Sequence, residues 1–189
     1  MKRAMITVTA LLAAATAYFV AAYMGGHADV MLTLAISFGT TFYHFAFRLA
    51  VGYGLLAAYH NRMDWKRSWF AEKPFEKSLY RSLRVHRWKT HMPTFHPEWF
   101  DMRRNTPEEI VMTGCEAEIG HELNVILSLL PIVMTVWFGE PAVFITTSVL
   151  GAAFDMIFVI MQRYNRPRLL ALMAKKQAFS KRERSIIPG

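Results

Sequence analysis

Four long apolar runs, at 4–24, 30–59, 122–139 and 141–162, alternate with basic or proline-punctuated stretches and set the expected architecture. The first, third and fourth match the roughly 20 residues that cross a hydrocarbon core. The second is too long for one crossing and is expected to project beyond the bilayer as a continuing helix. After it, Trp65, Trp69 and Phe70 lie among Lys66, Arg67 and Glu72, a mixture suited to the headgroup layer. Pro74 predicts a helix start, and Phe75, Leu79, Leu83 and Trp88 roughly follow helical spacing among Arg81, Arg84, Arg87 and Lys89. That pattern reads as an interfacial amphipathic helix. Pro93 and Pro97 exclude regular helix between them. Asn105-Thr106-Pro107-Glu108-Glu109 then carries a cap, a first-turn proline and acids for the positive end of a helix. That helix is expected to run unbroken into the third span, with Gly120 its weakest point. At the end of the fourth run, Pro167 is expected to stop the helix and hold Arg166 and Arg168 at the water–lipid boundary. The expected fold class is all-α: a polytopic membrane helix bundle of about four transmembrane helices, one membrane domain over 1–189. It has cytoplasmic amphipathic or interfacial helices within 60–121 and a basic tail over 163–189.

Charge placement adds orientation. The chain has 189 residues, room for one domain, and a net charge of +8. Lys2 and Arg3 precede the first span, and nearly all other positive charge lies in 61–120 and 163–189, whereas the loop at 25–29 and the Glu140-Pro141 turn have no Lys or Arg. The positive-inside rule therefore places both termini and the central segment in the cytoplasm of a multi-pass cell-membrane protein. Basic charge tied to membrane ends points to anionic lipid or a phosphorylated substrate and not to nucleic acid. Lys2-Arg3 with small residues near Ala21-Ala22 also permits a cleavable signal peptide, although the apolar stretch is long for one. A single cysteine, Cys115, excludes an internal disulfide and a Cys-based zinc site.

Two sets of residues are candidates for chemistry. Glu118 and His121 are three apart, on one face of the helix entering the third span. A carboxylate on one imidazole nitrogen fixes the tautomer and strengthens the other as a base, as deprotonation of an attacking alcohol requires. The bland alternative is a solvated pair at a helix end. His44 and Arg48 share a face of the second span and Asp155 lies inside the fourth. Ionisable groups at such depth face the bundle interior and find partners, so Arg48 and Asp155 are expected to pair, as a structural clamp or as substrate contacts together with His44. No metal site is expected. A second Glu-x-x-His is missing, and His86, His91 and His96, spaced by five, do not share one helix face.

Three blocks resemble the glycosyl-diaponeurosporenoate acyltransferases, small membrane enzymes of staphyloxanthin-type carotenoid synthesis. They are Phe75-Glu76-Lys77 with Arg84-Val85-His86-Arg87-Trp88-Lys89-Thr90-His91; Asn105 to Ile110 with Glu116-Ala117-Glu118-Ile119-Gly120-His121 and Leu129-Leu130-Pro131; and Gln162-Arg163-Tyr164-Asn165-Arg166-Pro167-Arg168-Leu169. In order and spacing they cover about 75–172, while the amino-terminal third shares only its hydrophobic character. The resemblance implies a membrane enzyme transferring a fatty acyl group to a sugar hydroxyl of a glycosylated carotenoid carboxylate, or of a polyprenyl-linked or other glycolipid. It nominates Glu118, His121, Arg84, Trp88, Lys89, Asn165, Arg166 and Arg168 as site residues. The expected roles are His121 as general base, Glu118 orienting it, and Arg84, Lys89, Arg166 and Arg168 on the donor's phosphates or the oxyanion. The co-substrate would be acyl-CoA or another cytosolic acyl thioester, with no resident cofactor; the partners would be membrane lipids and the glycolipid acceptor. The competing expectations are a non-enzymatic lipid-binding scaffold and a metal-dependent membrane enzyme.

Overall fold

A computed structural model describes residues 2–26, 28–59, 62–94 and 96–186, with side chains placed between residues 3 and 179. The expected segments 60–121 and 163–189 therefore extend in part beyond the described residues. Among those residues every regular element is helical. The long helices are α1, Lys2–Met24, and α2, Val30–Tyr59. Two short ones follow, α3 at Glu76–Ser82 and α4 at Val85–Trp88. Then come α5, Pro107–Leu129; α6, Thr135–Phe138; and α7, Pro141–Ile186. Four helices are long and apolar enough to cross a membrane, at Arg3–Met24, Val30–Tyr59, Pro107–Phe138 and Pro141–Phe179.

Local chemistry explains the boundaries. Gly26 takes φ +84° in the turn between α1 and α2, a conformation costly for residues with a Cβ. At α5 the Thr106 hydroxyl accepts from the Glu109 N–H at 3.2 Å, and Glu109 Oε2 accepts from the Thr106 N–H at 2.7 Å. This reciprocal pair satisfies two donors at the helix start. Gly139 and Glu140 both have positive φ before α7, and Thr33 donates to Glu140 Oε1 at 2.7 Å.

One expectation about continuity holds and two are corrected. α5 runs straight through Gly120 and changes only at Leu130–Met134, a 3₁₀ segment containing Pro131, which lacks the N–H that the α-helical ladder needs. The amphipathic helix is broken at Arg84, which is left-handed (φ 49°, ψ 41°). Tyr80 and Val85 both enter one buried cluster with Tyr164. Five residues apart, they would lie about 140° apart around a regular helix, so burying both requires the turn. The buried face of α3 is accordingly Glu76 and Tyr80, while Phe75 and Leu83 of the apolar stripe are exposed. Pro167 does not end α7, which continues to Ile186. An interior proline costs roughly 3 kcal/mol. Packing on both sides offsets it here: Tyr164 and Ile160 join Tyr80 and Val85 before the proline, and Leu169, Leu170 and Met173 pack on Met63, Phe70, Val111 and Cys115 after it.

The chain forms two compact units. The first comprises residues up to Ala57 with Gly120–Ile157. In it, a Cβ on Gly39 would lie 3.3 Å from Thr16, and Phe19 stacks on Phe38 at 5.2 Å, so small residues admit close helix packing. Leu11, Tyr18, Ile126 and Leu150 remain exposed, as side chains facing lipid do. The second unit comprises Ala58–Ile119 and the residues from Phe158 onward, with Cys115 enclosed in its apolar core. Thr106→Ala should lower stability by about 1 kcal/mol through loss of the cap. Denaturation of the purified protein in detergent, followed by far-UV circular dichroism, measures this.

Candidate functional site

In the first unit the polar residues of three apolar helices meet around one carboxylate. α2 supplies His44 and Arg48, one turn apart; α5 supplies His121, Asn124 and Ser128; α7 supplies Gly151 and Asp155, with buried Ser148 on the same face of that helix. The spacings of four, or three and seven, put each set on a single helical face. Asp155, 1% exposed, is the hub. Arg48 donates to its Oδ2 through Nε at 3.0 Å and Nη2 at 2.5 Å. His121 Nδ1 lies 2.9 Å from Oδ1, and Asn124 Nδ2 donates to the same oxygen at 3.2 Å. Arg48 also donates to the carbonyls of His44 and Gly151 and to Ser128 Oγ.

This arrangement orients the imidazole. Arg48 holds one oxygen of Asp155 and Nδ1 of His121 meets the other, which turns Nε2 to the opposite edge of the ring. The His121 side chain is 26% exposed while its carboxylate is enclosed. Among the described residues, His44, 6% exposed, has no hydrogen-bond partner at either ring nitrogen, and Ser148 Oγ and Asn124 Oδ1 are likewise unpartnered. Gly151 leaves the room this convergence needs: a Cβ there would lie 3.1 Å from Arg48 Nη2 and 3.2 Å from both His44 Nδ1 and Ser128 Oγ.

Glu118 has a different partner from the one its spacing implies. In the second unit its Oε1 accepts from Arg163 at 2.6 Å and its Oε2 accepts from Arg166. Arg163 also donates to Glu76 Oε1 at 2.7 Å, and Glu76 Oε2 accepts from the Tyr80 hydroxyl at 2.8 Å. Burial, then the Glu76 hydrogen bond, raises the Tyr80 pKa well above the usual phenol range. The carboxylate on His121 is thus Asp155, and Glu118 is a buried counter-ion to two arginines. Arg166, 4% exposed, donates to the Phe70 carbonyl as well, so its charge is already matched inside the protein.

The remaining expected residues separate into structural and accessible ones. Trp88 packs on the Tyr80–Val85–Tyr164 cluster, and its indole N–H donates to the Leu83 carbonyl at 3.0 Å. Arg84 is exposed at the α3–α4 turn. Lys89 donates to Asn165 Oδ1 at 2.8 Å and lies 5.0 Å from the Tyr164 ring centroid. Arg168, exposed, lies 3.6 Å from the same centroid and donates to the Tyr164 carbonyl at 2.6 Å. No group of three His, Cys, Asp or Glu side chains among the described residues is placed to hold a metal ion. Sequence reasoning omitted Asn124, Ser128 and Ser148, although each recurs at helical spacing from His121 or Asp155 within an apolar run. It also left Glu76 and Arg163 as motif residues without roles, because their pairing joins separate segments.

Removing Glu118 would leave the buried Arg166 guanidinium without a carboxylate, while Arg163 would keep only Glu76. Breaking a buried pair in this way costs about 3–5 kcal/mol. Glu118→Ala should therefore unfold at markedly lower denaturant, whereas His121→Ala should unfold close to the parent; denaturation in detergent compares them.

Comparison with known proteins adds one match. The family model described as glycosyl-4,4'-diaponeurosporenoate acyltransferase matches residues 66–175, more than half of the 189-residue chain. The match includes Glu118, His121, Asp155, Arg163 and Arg168 and leaves out His44 and Arg48. No curated protein and no solved structure matches the chain significantly. The all-helical fold, the helices fit to cross a membrane and this match agree: the chain belongs to the glycosyl-4,4'-diaponeurosporenoate acyltransferase family.

Proposed function

We propose that this protein is an integral membrane enzyme that moves a fatty acyl group from a cytosolic acyl thioester to a hydroxyl of a glycosylated lipid, carotenoid-like or polyprenyl. The observation that carries the reading is the His121–Asp155 pair, with Nδ1 and Oδ1 2.9 Å apart and Asp155 clamped by Arg48. Nε2 of His121 takes the proton of the acceptor hydroxyl as its oxygen attacks the thioester carbonyl. The tetrahedral intermediate then collapses, the carbon–sulfur bond breaks, and the thiolate recovers the proton from His121. Asp155 acts as a positioning residue, holding the ring and balancing the transient imidazolium. The thioester is the co-substrate, and this chemistry calls on no resident cofactor. Basic charge at 61–120 and 163–189 supports a cytoplasmic site for the termini and the donor, in the cell membrane.

General-base catalysis contributes about 10²–10⁴ in rate. His121→Ala should lower kcat by that order while the protein keeps its helix content and elution volume. The assay uses purified protein in vesicles, acyl-CoA and a glucosyl-ester lipid, with the acylated product measured by mass spectrometry. Turnover close to the parent's would remove His121 from the chemistry.

A further inference from the structure

We propose that Lys89 and Arg168, held over the ring of Tyr164 beside Asn165, form a phosphate-binding site. The proposal deepens the acyl-thioester reading, because it gives the donor's phosphates specific partners.

The basic residues at the end of the fourth apolar run are not equivalent. Arg163 and Arg166 are matched by Glu76 and Glu118. Lys89 and Arg168 have no carboxylate within ion-pair distance among the described residues. Their contacts are an amide oxygen, a carbonyl and one shared aromatic face. Two cations on one ring repel each other. Burial, and then the nearby Arg168 charge, lowers the Lys89 pKa. An arrangement that keeps two like charges together without an acid is completed by an anion from outside the chain.

The site is also built in advance. Tyr164 is buried, and its ring and carbonyl hold the Arg168 side chain from two directions. Asn165 accepts from Lys89 through Oδ1, which leaves its own amide N–H groups as donors. After these contacts the lysine has two N–H groups for a ligand and the guanidinium has four, a set that fits the several oxygens of a phosphate better than a single carboxylate. Two sources of phosphate are chemically equivalent here: the phosphates of a coenzyme A thioester and a phospholipid headgroup.

The test uses full-length protein purified in detergent and isothermal titration with coenzyme A, and separately with pantetheine, which has the same arm without phosphates. The parent should bind coenzyme A and not pantetheine. The double variant Lys89→Gln/Arg168→Gln should bind coenzyme A about tenfold or more weakly, the scale expected for lost charge-assisted hydrogen bonds. Arg81→Gln, which removes an exposed charge from α3, should stay within twofold of the parent. Should neither protein bind coenzyme A while native mass spectrometry shows a phospholipid retained by the parent and lost from the double variant, the site holds a lipid phosphate. Coenzyme A binding unchanged in the double variant, or no coenzyme A binding together with no difference in retained lipid, overturns the proposal. Circular dichroism of the double variant confirms that weakened binding is not unfolding. Binding is read without turnover, so a negative result leaves the His121 reading to its own assay. Likewise an inactive His121→Ala variant that still binds coenzyme A separates the two.

Discussion

An ionised side chain within apolar helices must bring its counter-ion with it, and the first unit is arranged around that requirement. Arg48 and Asp155 would each be costly to expose to hydrocarbon, and together they form a two-point hydrogen-bonded pair. Once Arg48 occupies Oδ2 of Asp155, the other oxygen is available, and His121 and Asn124 take it. The spare N–H capacity of Arg48 reaches Ser128 and the Gly151 carbonyl, so α2, α5 and α7 are joined at one point. Gly151 is needed there because a methyl group would press on three of these side chains. An ion pair in this setting is better regarded as fixing geometry than as adding net stability.

The second unit answers the same constraint with the signs exchanged. There a fully buried carboxylate, Glu118, collects two arginines from α7, and Arg163 in turn holds Glu76 of α3. These bonds tie the short α3–α4 region to the helix bearing the basic motif. Apolar packing on both sides of Pro167, added to these bonds before it, carries α7 past the proline without stopping. A motif that reads as a uniform patch of positive charge is thus divided into internal counter-ions and accessible cations.

The family assignment and the geometry illuminate different parts of the molecule. The match to the acyltransferase family covers 66–175 and includes His121 and Asp155 but not Arg48, which lies in α2. The carboxylate that holds the imidazole is therefore supported by a residue outside the matched region. A reading confined to the matched motifs would keep Glu118 as the partner of His121, because three-residue spacing is visible in a line of text and an α5–α7 contact is not.

Much of the fold was legible in the chain itself. Apolar runs long enough for a bilayer mark the principal helices, and Asn105-Thr106-Pro107-Glu108-Glu109 marks the start of α5, because caps and hydropathy depend on near neighbours. The pairing of Arg48 with Asp155 was also within reach, since few ions lie in those spans and each needs an opposite charge. Other features depended on contacts between distant segments. These are the choice of Asp155 over Glu118 for His121, the turn at Arg84 that buries Val85 with Tyr80, and the passage of α7 through Pro167. Local sequence states which groups need a partner or a burial site; which of several eligible partners each receives is decided by the packing of segments far apart in the chain.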